Sequence, residues 1–108
     1  MARITFTELM AQRGYTVQTT FWEDFSIADR FGKSAVLDTF KRAFSEWKTD
    51  YKYLTEMVLV LNTKAWDLFN KGNQELSEIY SELYFKVHDY ACTHLKGEEF
   101  EYYFNITD

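Results

Sequence analysis

The hydrophobic residues between positions 51 and 69 recur at steps of three and four, the spacing that places side chains on one face of an α-helix. This stripe consists of Leu54, Met57, Val58, Leu61, Ala65, Leu68 and Phe69. Leu59, Val60 and Trp66 widen the apolar arc, so the segment is predicted to form a central helix that contacts neighbours on two sides. A buried strand is the alternative for residues 58–61, which form a short apolar run containing two valines.

Two further segments have the same helical spacing. Residues 33–48 carry Val36, Leu37, Phe40, Ala43, Phe44 and Trp47 on one face, and residues 74–96 carry Leu76, Ile79, Tyr80, Leu83, Val87, Tyr90, Ala91 and Leu95. The connections at residues 49–50 and 70–73 are short, and short connections make neighbouring helices antiparallel. The sequence therefore predicts an all-α fold with an antiparallel three-helix bundle core, residues 33–48, 51–70 and 74–96, and short flanking helices.

Shorter elements are predicted before this core. Thr5 and Glu8 have the spacing of a capping box, so a helix is predicted over residues 5–13 with its end at Gly14. Residues 15–20 are rich in β-branched side chains, which fits an extended connector or a brief strand.

Two more short helical segments complete the prediction. Ser26 is the predicted N-cap of a helical turn over residues 27–31, which Gly32 closes. After Gly97 the chain is acidic and aromatic, and one more helical turn is predicted to pack back on the bundle.

Composition indicates one domain, residues 1–108. The chain has no proline and four glycines, so it contains few residues that end helices. Its single cysteine cannot form an internal disulfide, and the N-terminal residues lack the apolar segment of a signal peptide, so a cytoplasmic location is predicted. No membrane span is predicted, because Glu56, Asn62, Lys64 and Asp67 interrupt the longest apolar stretch.

The formal net charge of -5 is distributed unevenly. Residues 1–71 contain nine acids and ten bases, whereas residues 72–108 contain eight acids and two bases. The excess negative charge of the last third argues against direct binding of nucleic acid and is compatible with a basic protein partner.

The candidate sites for chemistry are incomplete. Gly32, Lys33 and Ser34 match the end of a phosphate-binding loop, but Ile27 stands where that motif requires another glycine. Phosphate binding at this segment is therefore not predicted.

His88 and Cys92 are four residues apart and share a helix face, which provides half of a zinc site. The chain has no further cysteine to complete it, and His94 points away by helical geometry. The preferred interpretation is a structural pair in which Cys92 is a small, partly buried hydrophobic residue. No catalytic residue, cofactor or metal ligand is assigned, and the protein is predicted not to be an enzyme.

The aromatic content of 19% is the feature that remains unexplained by a three-helix core. Exposed aromatic residues surrounded by acids are typical of protein-contact surfaces. The predicted contact residues are Phe21, Trp22, Phe25, Glu98, Glu99, Glu101, Tyr102 and Phe104. The alternative is that the two ends of the chain fold over the bundle and bury most of these aromatic side chains.

The runs FSIADRFG, FKRAFSEWKTDYKYLTEMVLVLN and LKGEEFEYYF resemble small uncharacterised proteins encoded on gut-bacterial conjugative elements and phages. The resemblance covers residues 20–108 and leaves residues 1–19 as a possible N-terminal extension. It implies a cytosolic accessory protein of a mobile element, without catalytic residues. Such elements also encode small acidic proteins that block restriction or CRISPR effectors by occupying their nucleic-acid grooves.

These observations lead to two functional hypotheses. The first is a non-catalytic protein-protein interaction module whose partner the sequence does not identify and which could also form a homo-oligomer. The alternative is an acidic inhibitor of a nucleic-acid-processing defence enzyme, acting as a nucleic-acid mimic through the negative charge of residues 72–108.

Overall fold

The computed structural model describes residues 5–107, which form six α-helices and no strand. In chain order these are α1 (Phe6–Gln12), α2 (Phe21–Asp29), α3 (Lys33–Trp47), α4 (Tyr51–Asn70), α5 (Gln74–His94) and α6 (Glu98–Thr107). The predicted all-α fold is confirmed, and α3, α4 and α5 begin and end within two residues of the predicted ranges. Between residues 5 and 107, no helix combines the length and apolar character needed to cross a lipid bilayer.

The central helix is α4, and its middle is buried on every side. All side chains from Leu54 to Leu61 are buried, because α2, α3, α5 and α6 each contact α4. Its most extensive contact is with α5, whereas α3 packs chiefly against α2. Burial around the whole circumference explains why residues 58–61 read as a continuous apolar run, although they are helical rather than a strand.

Local hydrogen bonds fix both ends of α4. The Asp50 side chain accepts hydrogen bonds from two first-turn amides at 3.0 and 3.3 Å. After the helix, Gly72 has a φ of 85°, a conformation that favours glycine, and the Asn73 amide donates to the Leu68 carbonyl at 2.9 Å. This turn reverses the chain at once, so α5 begins four residues after α4 ends and packs against it.

The segment before α2 belongs to the same hydrophobic core as the other helices. Thr5 caps α1 as predicted, since its hydroxyl accepts the Glu8 amide at 3.1 Å. Phe6 and Met10 of α1 are buried, and so is Tyr15 after it. Residues 5–19 are therefore integrated into the domain and do not extend away from it.

Residues 15–20 form an irregular connector, with bends at Thr19 and Thr20, that is attached to α4 through Glu56. This carboxylate is fully buried and accepts hydrogen bonds from the Tyr15 hydroxyl at 2.8 Å and from the amides of Gln18 and Thr19 at 2.7 and 2.9 Å. Burial, reinforced by the bond to Glu56, raises the pKa of Tyr15 well above its ordinary value. These bonds give the buried carboxylate the hydrogen-bond partners that it needs. They also give the amides of Gln18 and Thr19 an acceptor, so these amides do not need the backbone pairing of a strand.

The second helix differs from the prediction. A turn over residues 27–31 capped by Ser26 is wrong, because α2 already begins at Phe21 and Ser26 lies in its interior. Two acids in the first turn, Glu23 and Asp24, favour this earlier start through the helix dipole.

Ser26 binds α4 instead of capping a helix. Its hydroxyl lies 2.6 Å from the buried Lys64 ammonium, which also pairs with Asp29 at 2.9 Å. The same ammonium lies 4.3 Å from the ring centre of Trp22, and the Tyr80 hydroxyl donates to Asp29. A buried polar cluster therefore joins α2 to α4 and α5.

Candidate protein-contact groove

The aromatic residues predicted as a contact surface on α2 lie mostly in the core. Phe25 is completely buried and meets Tyr80 edge to face, with 5.7 Å between ring centres, and Phe21 is 5% exposed. The prediction that Phe21 and Phe25 form a surface is therefore corrected. α2 packs against α3 and α4, so these two rings fill the space between the helices.

Trp22 is also engaged within the molecule. Its ring stacks on Phe6 with 4.7 Å between centres, and the Lys64 ammonium lies over the ring at 4.3 Å from its centre. It is half-buried, so only part of the indole is accessible to another protein.

The predicted contact residues at the C-terminal end remain at the surface. Glu98, Glu99 and Glu101 are exposed, and Phe104 is 51% exposed. Tyr102 is half-buried against Tyr51, with 5.2 Å between ring centres, and burial raises its pKa. The inner face of α6 packs Tyr103 into the core, as predicted for a helical turn that folds back on the bundle.

The larger group of exposed aromatic residues lies on α4 and α5. Trp66 is 62% exposed and Phe69 is 58% exposed, although Phe69 was predicted to lie on the core face of its helix. Phe85, across from them on α5, is 60% exposed. These side chains border a depression between the two helices that we name the aromatic groove, lined by Asn62, Ala65, Trp66, Phe69, Ser77, Ser81, Tyr84 and Phe85.

Small residues form the floor of the aromatic groove. The Ser77 hydroxyl donates to the Ala65 carbonyl of α4 at 2.7 Å, which fixes the two helices in close contact. Ala65, Ser77 and Ser81 fill little space above this contact, so a depression of about 350 Å³ remains between the larger flanking residues.

Aromatic pairs form the two walls of the groove. Trp66 and Phe69 meet edge to face on α4, with ring centres 6.3 Å apart, and Tyr84 and Phe85 do so on α5 at 5.2 Å. Tyr84 also stacks on His88 at 5.8 Å. These contacts restrict the rings before any partner arrives, which lowers the entropy lost on binding.

Apolar side chains of a second protein fit this groove better than a small ligand does. A small-molecule site usually covers most of the ligand surface. Here three of the four wall residues are more than half exposed, so the depression is shallow. Shallow aromatic surfaces containing tryptophan and tyrosine are typical of the central part of protein interfaces.

A second depression lies between α2 and α3. Its volume is about 590 Å³, and Ile27 and Phe31 are exposed beside it. Asp24, Asp38 and Arg42 also line it, so its surface alternates charged and apolar groups. The aromatic groove is the more uniformly apolar of the two.

His88 and Cys92 form a contact that extends to α6. The Cys92 sulfur lies 3.6 Å from His88 Nε2, and His88 Nδ1 lies 2.5 Å from the Tyr103 hydroxyl. Burial raises the pKa of Tyr103, so its hydroxyl stays protonated beside Nδ1. This chain of contacts links α5 to α6, which supports the structural interpretation of the pair.

Cys92 is exposed, so the prediction that it is partly buried is wrong. It follows the buried Ala91 by one residue, and one helical step turns it away from the packed face of α5. Over residues 5–107, no group of three or more histidine, cysteine or acidic side chains is arranged to hold a metal ion.

Comparisons of the chain with protein-family models, curated proteins and solved structures give no match.

The sequence contained a partial signal for the aromatic groove. Tyr84 and Phe85 lie off the predicted core face of α5, and Trp66 lies at the edge of the apolar arc of α4. The spacing of apolar residues does not indicate that Ala65, Ser77 and other small residues leave space between the helices. Which positions face each other across α4 and α5 follows only from their packing.

Proposed function

We propose that the protein is a non-catalytic protein-binding module that holds a segment of a partner protein in the aromatic groove. The observation that supports this proposal is the pair of aromatic walls, Trp66 with Phe69 and Tyr84 with Phe85, above a floor of small residues, with every wall residue except Tyr84 more than half exposed. Exposed apolar surface of this kind is costly in water and marks sites of interaction.

The groove provides enough apolar surface for specific binding. Truncating a tryptophan at the centre of an interface typically costs 2 kcal/mol or more, which corresponds to a loss of affinity of about 30-fold. Trp66 stands at the edge of the groove with most of its ring accessible, so a partner could bury it. We expect Trp66 and Phe85, one from each wall, to dominate the affinity.

The location and the accessory role that the sequence implies are part of this proposal. The protein acts in the cytoplasm as an accessory protein of a mobile element, and it works without a cofactor and without binding nucleic acid or membranes directly. The antiparallel arrangement of α3, α4 and α5 as a three-helix core also belongs to this proposal. The short connections between these helices support that arrangement.

Affinity purification with matched variants tests the proposed function. The tagged protein and the double variant Trp66→Ser, Phe85→Ser are used to capture partners from a nuclease-treated lysate of the source organism. We expect one protein in stoichiometric amount with the unchanged chain and its loss with the double variant. Both residues are exposed, so the substitutions should leave the fold intact.

The matched control is Ile27→Ser with Phe31→Ser, which removes exposed apolar residues from the depression between α2 and α3. This control should retain the partner. A partner that the groove variant retains and the control loses would overturn the assignment to the aromatic groove.

The acidic-inhibitor hypothesis remains a second candidate. All seven acids between residues 72 and 107 are exposed, and none forms an ion pair with another residue of the range 5–107. Three of them, Glu98, Glu99 and Glu101, are in the first turn of α6. An array of unneutralised carboxylates can occupy a groove that normally binds phosphates.

Charge reversal separates this candidate from the first. If the protein inhibits a nuclease as a nucleic-acid mimic, replacing Glu98, Glu99 and Glu101 with lysine should abolish inhibition in a DNA-cleavage assay. Unchanged inhibition would remove nucleic-acid mimicry by α6 from consideration. The Trp66→Ser, Phe85→Ser variant should inhibit normally in the same assay, because the two surfaces are separate.

A further inference from the structure

Acidic residues beside the aromatic groove indicate which class of partner it binds. This inference rests on the proposed function. Ser77 and Ser81 line the floor, and Glu78 and Glu82 each follow one of them by a single residue. One residue advances an α-helix by about 100°, so both carboxylates lie outside the groove lining, on the solvent-facing side of α5 beyond Phe85. Both side chains are exposed.

The negative charge beside the groove extends along the outer side of α5. Its exposed charged residues are Glu75, Glu78, Glu82, Asp89 and a single base, Lys86. Gln74 donates a hydrogen bond to Glu78 at 3.1 Å, but none of these four acids pairs with a cation within residues 5–107. The carboxylates beside the groove are thus available for positive charges on another protein.

The dimensions of the groove correspond to a helix. From Asn62 to Phe69 on α4, and from Ser77 to Phe85 on α5, the lining spans about 10 to 12 Å at 1.5 Å per residue. Apolar residues at positions i, i+3 or i+4, and i+7 of a bound helix span the same length. A third helix that lies between two packed helices also meets the preferred ridge-and-groove geometry of helix packing.

We infer that the aromatic groove binds a positively charged amphipathic helix of a partner protein. The apolar face of this helix fills the groove between Trp66 and Phe85. Lysine and arginine residues on the side facing α5 lie opposite Glu78 and Glu82. Adding a strand to a sheet is not available as a binding mode here, because residues 5–107 contain no strand.

A display selection tests this inference with a defined probe. The library encodes amphipathic helices of about 14 residues, roughly four turns, with fixed leucines on the apolar face and random polar positions. Selection uses the full chain, with the Trp66→Ser, Phe85→Ser variant as counter-selection. We expect sequences that require the groove and are enriched in lysine and arginine on one flank of the polar face.

Affinity measurements with one selected peptide then show separately whether binding depends on the acidic residues and on a helical peptide conformation. Two exposed ion pairs contribute about 0.2 to 1 kcal/mol each, so Glu78→Gln with Glu82→Gln should weaken binding by roughly 2- to 30-fold. Added salt should remove this difference, because it screens exposed charges. The matched control, Glu98→Gln with Glu99→Gln on α6, should leave the affinity unchanged. A proline at the centre of the peptide should abolish binding if the peptide is helical.

The outcomes distinguish the inference from the proposed function. Selected peptides that need the groove but show no enrichment in basic residues, or that tolerate the central proline, would overturn the basic helix and leave the groove as a binding site. If no peptide distinguishes the full chain from its groove variant, the helical partner is contradicted, whereas the proposed function is decided separately by the capture of a partner from lysate. Concentration-dependent dimerisation of the protein alone, lost in the groove variant, would replace the partner helix with a second copy of this chain.

Discussion

Two charged side chains on α4, Glu56 and Lys64, are buried inside the protein, and each holds a segment from the N-terminal part of the chain. Glu56 accepts hydrogen bonds from the connector at residues 15–20, and Lys64 pairs with Asp29 of α2. In the sequence these two residues only interrupt an apolar stretch. Their partners are 35 or more residues away along the chain, so periodicity alone does not identify them.

Replacing Lys64 with methionine should strongly destabilise the fold. Removing one member of a buried ion pair leaves the other charge without its partner, which typically costs 3 to 5 kcal/mol. We expect about 3 kcal/mol in urea unfolding, because Asp29 keeps its hydrogen bond from Tyr80. The double variant Lys64→Met, Asp29→Asn should be more stable than Lys64→Met alone. Equal or lower stability of the double variant would show that the unpaired Asp29 carboxylate is not what destabilises Lys64→Met.

Buried tyrosines should make the protein sensitive to alkaline pH. Burial and the hydrogen bond to Asp29 raise the pKa of Tyr80, and burial likewise raises the pKa of Tyr15 and Tyr103. Above the ordinary tyrosine pKa of 10.0, the unfolded chain loses these protons while the folded protein keeps them, so stability falls as pH rises.

The expected loss is about 1.4 kcal/mol per pH unit for each such tyrosine. Urea unfolding at several pH values above 10 measures how steeply the unfolding free energy falls with pH. Tyr80→Phe should make this slope shallower by the contribution of one tyrosine, about 1.4 kcal/mol per pH unit. A slope that Tyr80→Phe leaves unchanged would mean that Tyr80 ionises as easily in the folded protein as in the unfolded chain.

The helices with regular apolar spacing were predictable, and the ones defined by long-range contacts were not. The bounds of α4 match the prediction, because Asp50 and Gly72 are local signals that begin and end a helix. In contrast, the start of α2 lacks a side-chain hydrogen bond to its N-cap, so the sequence offered Ser26 as a better but incorrect cap. α2 is instead held by packing against α3 and by contacts of Lys64 on α4 with Trp22, Ser26 and Asp29.

The orientation of α4 can be tested with a matched pair of substitutions. Leu61 is completely buried, so Leu61→Ala should cost about 2 to 5 kcal/mol in unfolding free energy. Phe69→Ala should cost less than about 1 kcal/mol, because this side chain is more than half exposed at the groove. Similar losses for both variants would mean that α4 is rotated relative to the described packing.

The connector at residues 15–20 should detach when Glu56 is neutralised. Glu56→Gln replaces a carboxylate oxygen with an amide group that cannot accept the hydrogen bonds from both amides. A hydrogen bond to a charged group contributes about 1.5 to 3 kcal/mol, so amide exchange at Gln18 and Thr19 should accelerate by roughly 10- to 100-fold.

Exchange at Leu83 in α5 serves as the control in the same hydrogen-exchange measurement. It should accelerate only as far as global stability falls. Equal acceleration at all three amides would show that Glu56 stabilises the whole fold rather than the connector.

At the scale of the whole molecule, apolar and acidic surfaces meet along α5. One flank of this helix carries the aromatic wall of the groove, and the next carries Glu78 and Glu82. The sequence predicted the acidic third and the aromatic surplus separately. Phe21 and Phe25 were predicted to form much of the contact surface, because the sequence does not reveal that α2 points these two rings towards the core.

Photo-crosslinking in living cells tests the central claim, that partners bind in the aromatic groove. A photoreactive phenylalanine analogue is placed at Phe69 in the groove, at Phe104 on α6 or at Phe31 beside the other depression, and all three positions are more than half exposed. We expect a discrete crosslinked partner from position 69 and none from positions 104 and 31. A partner crosslinked from position 104 but not from position 69 would contradict the groove and move the binding surface to α6.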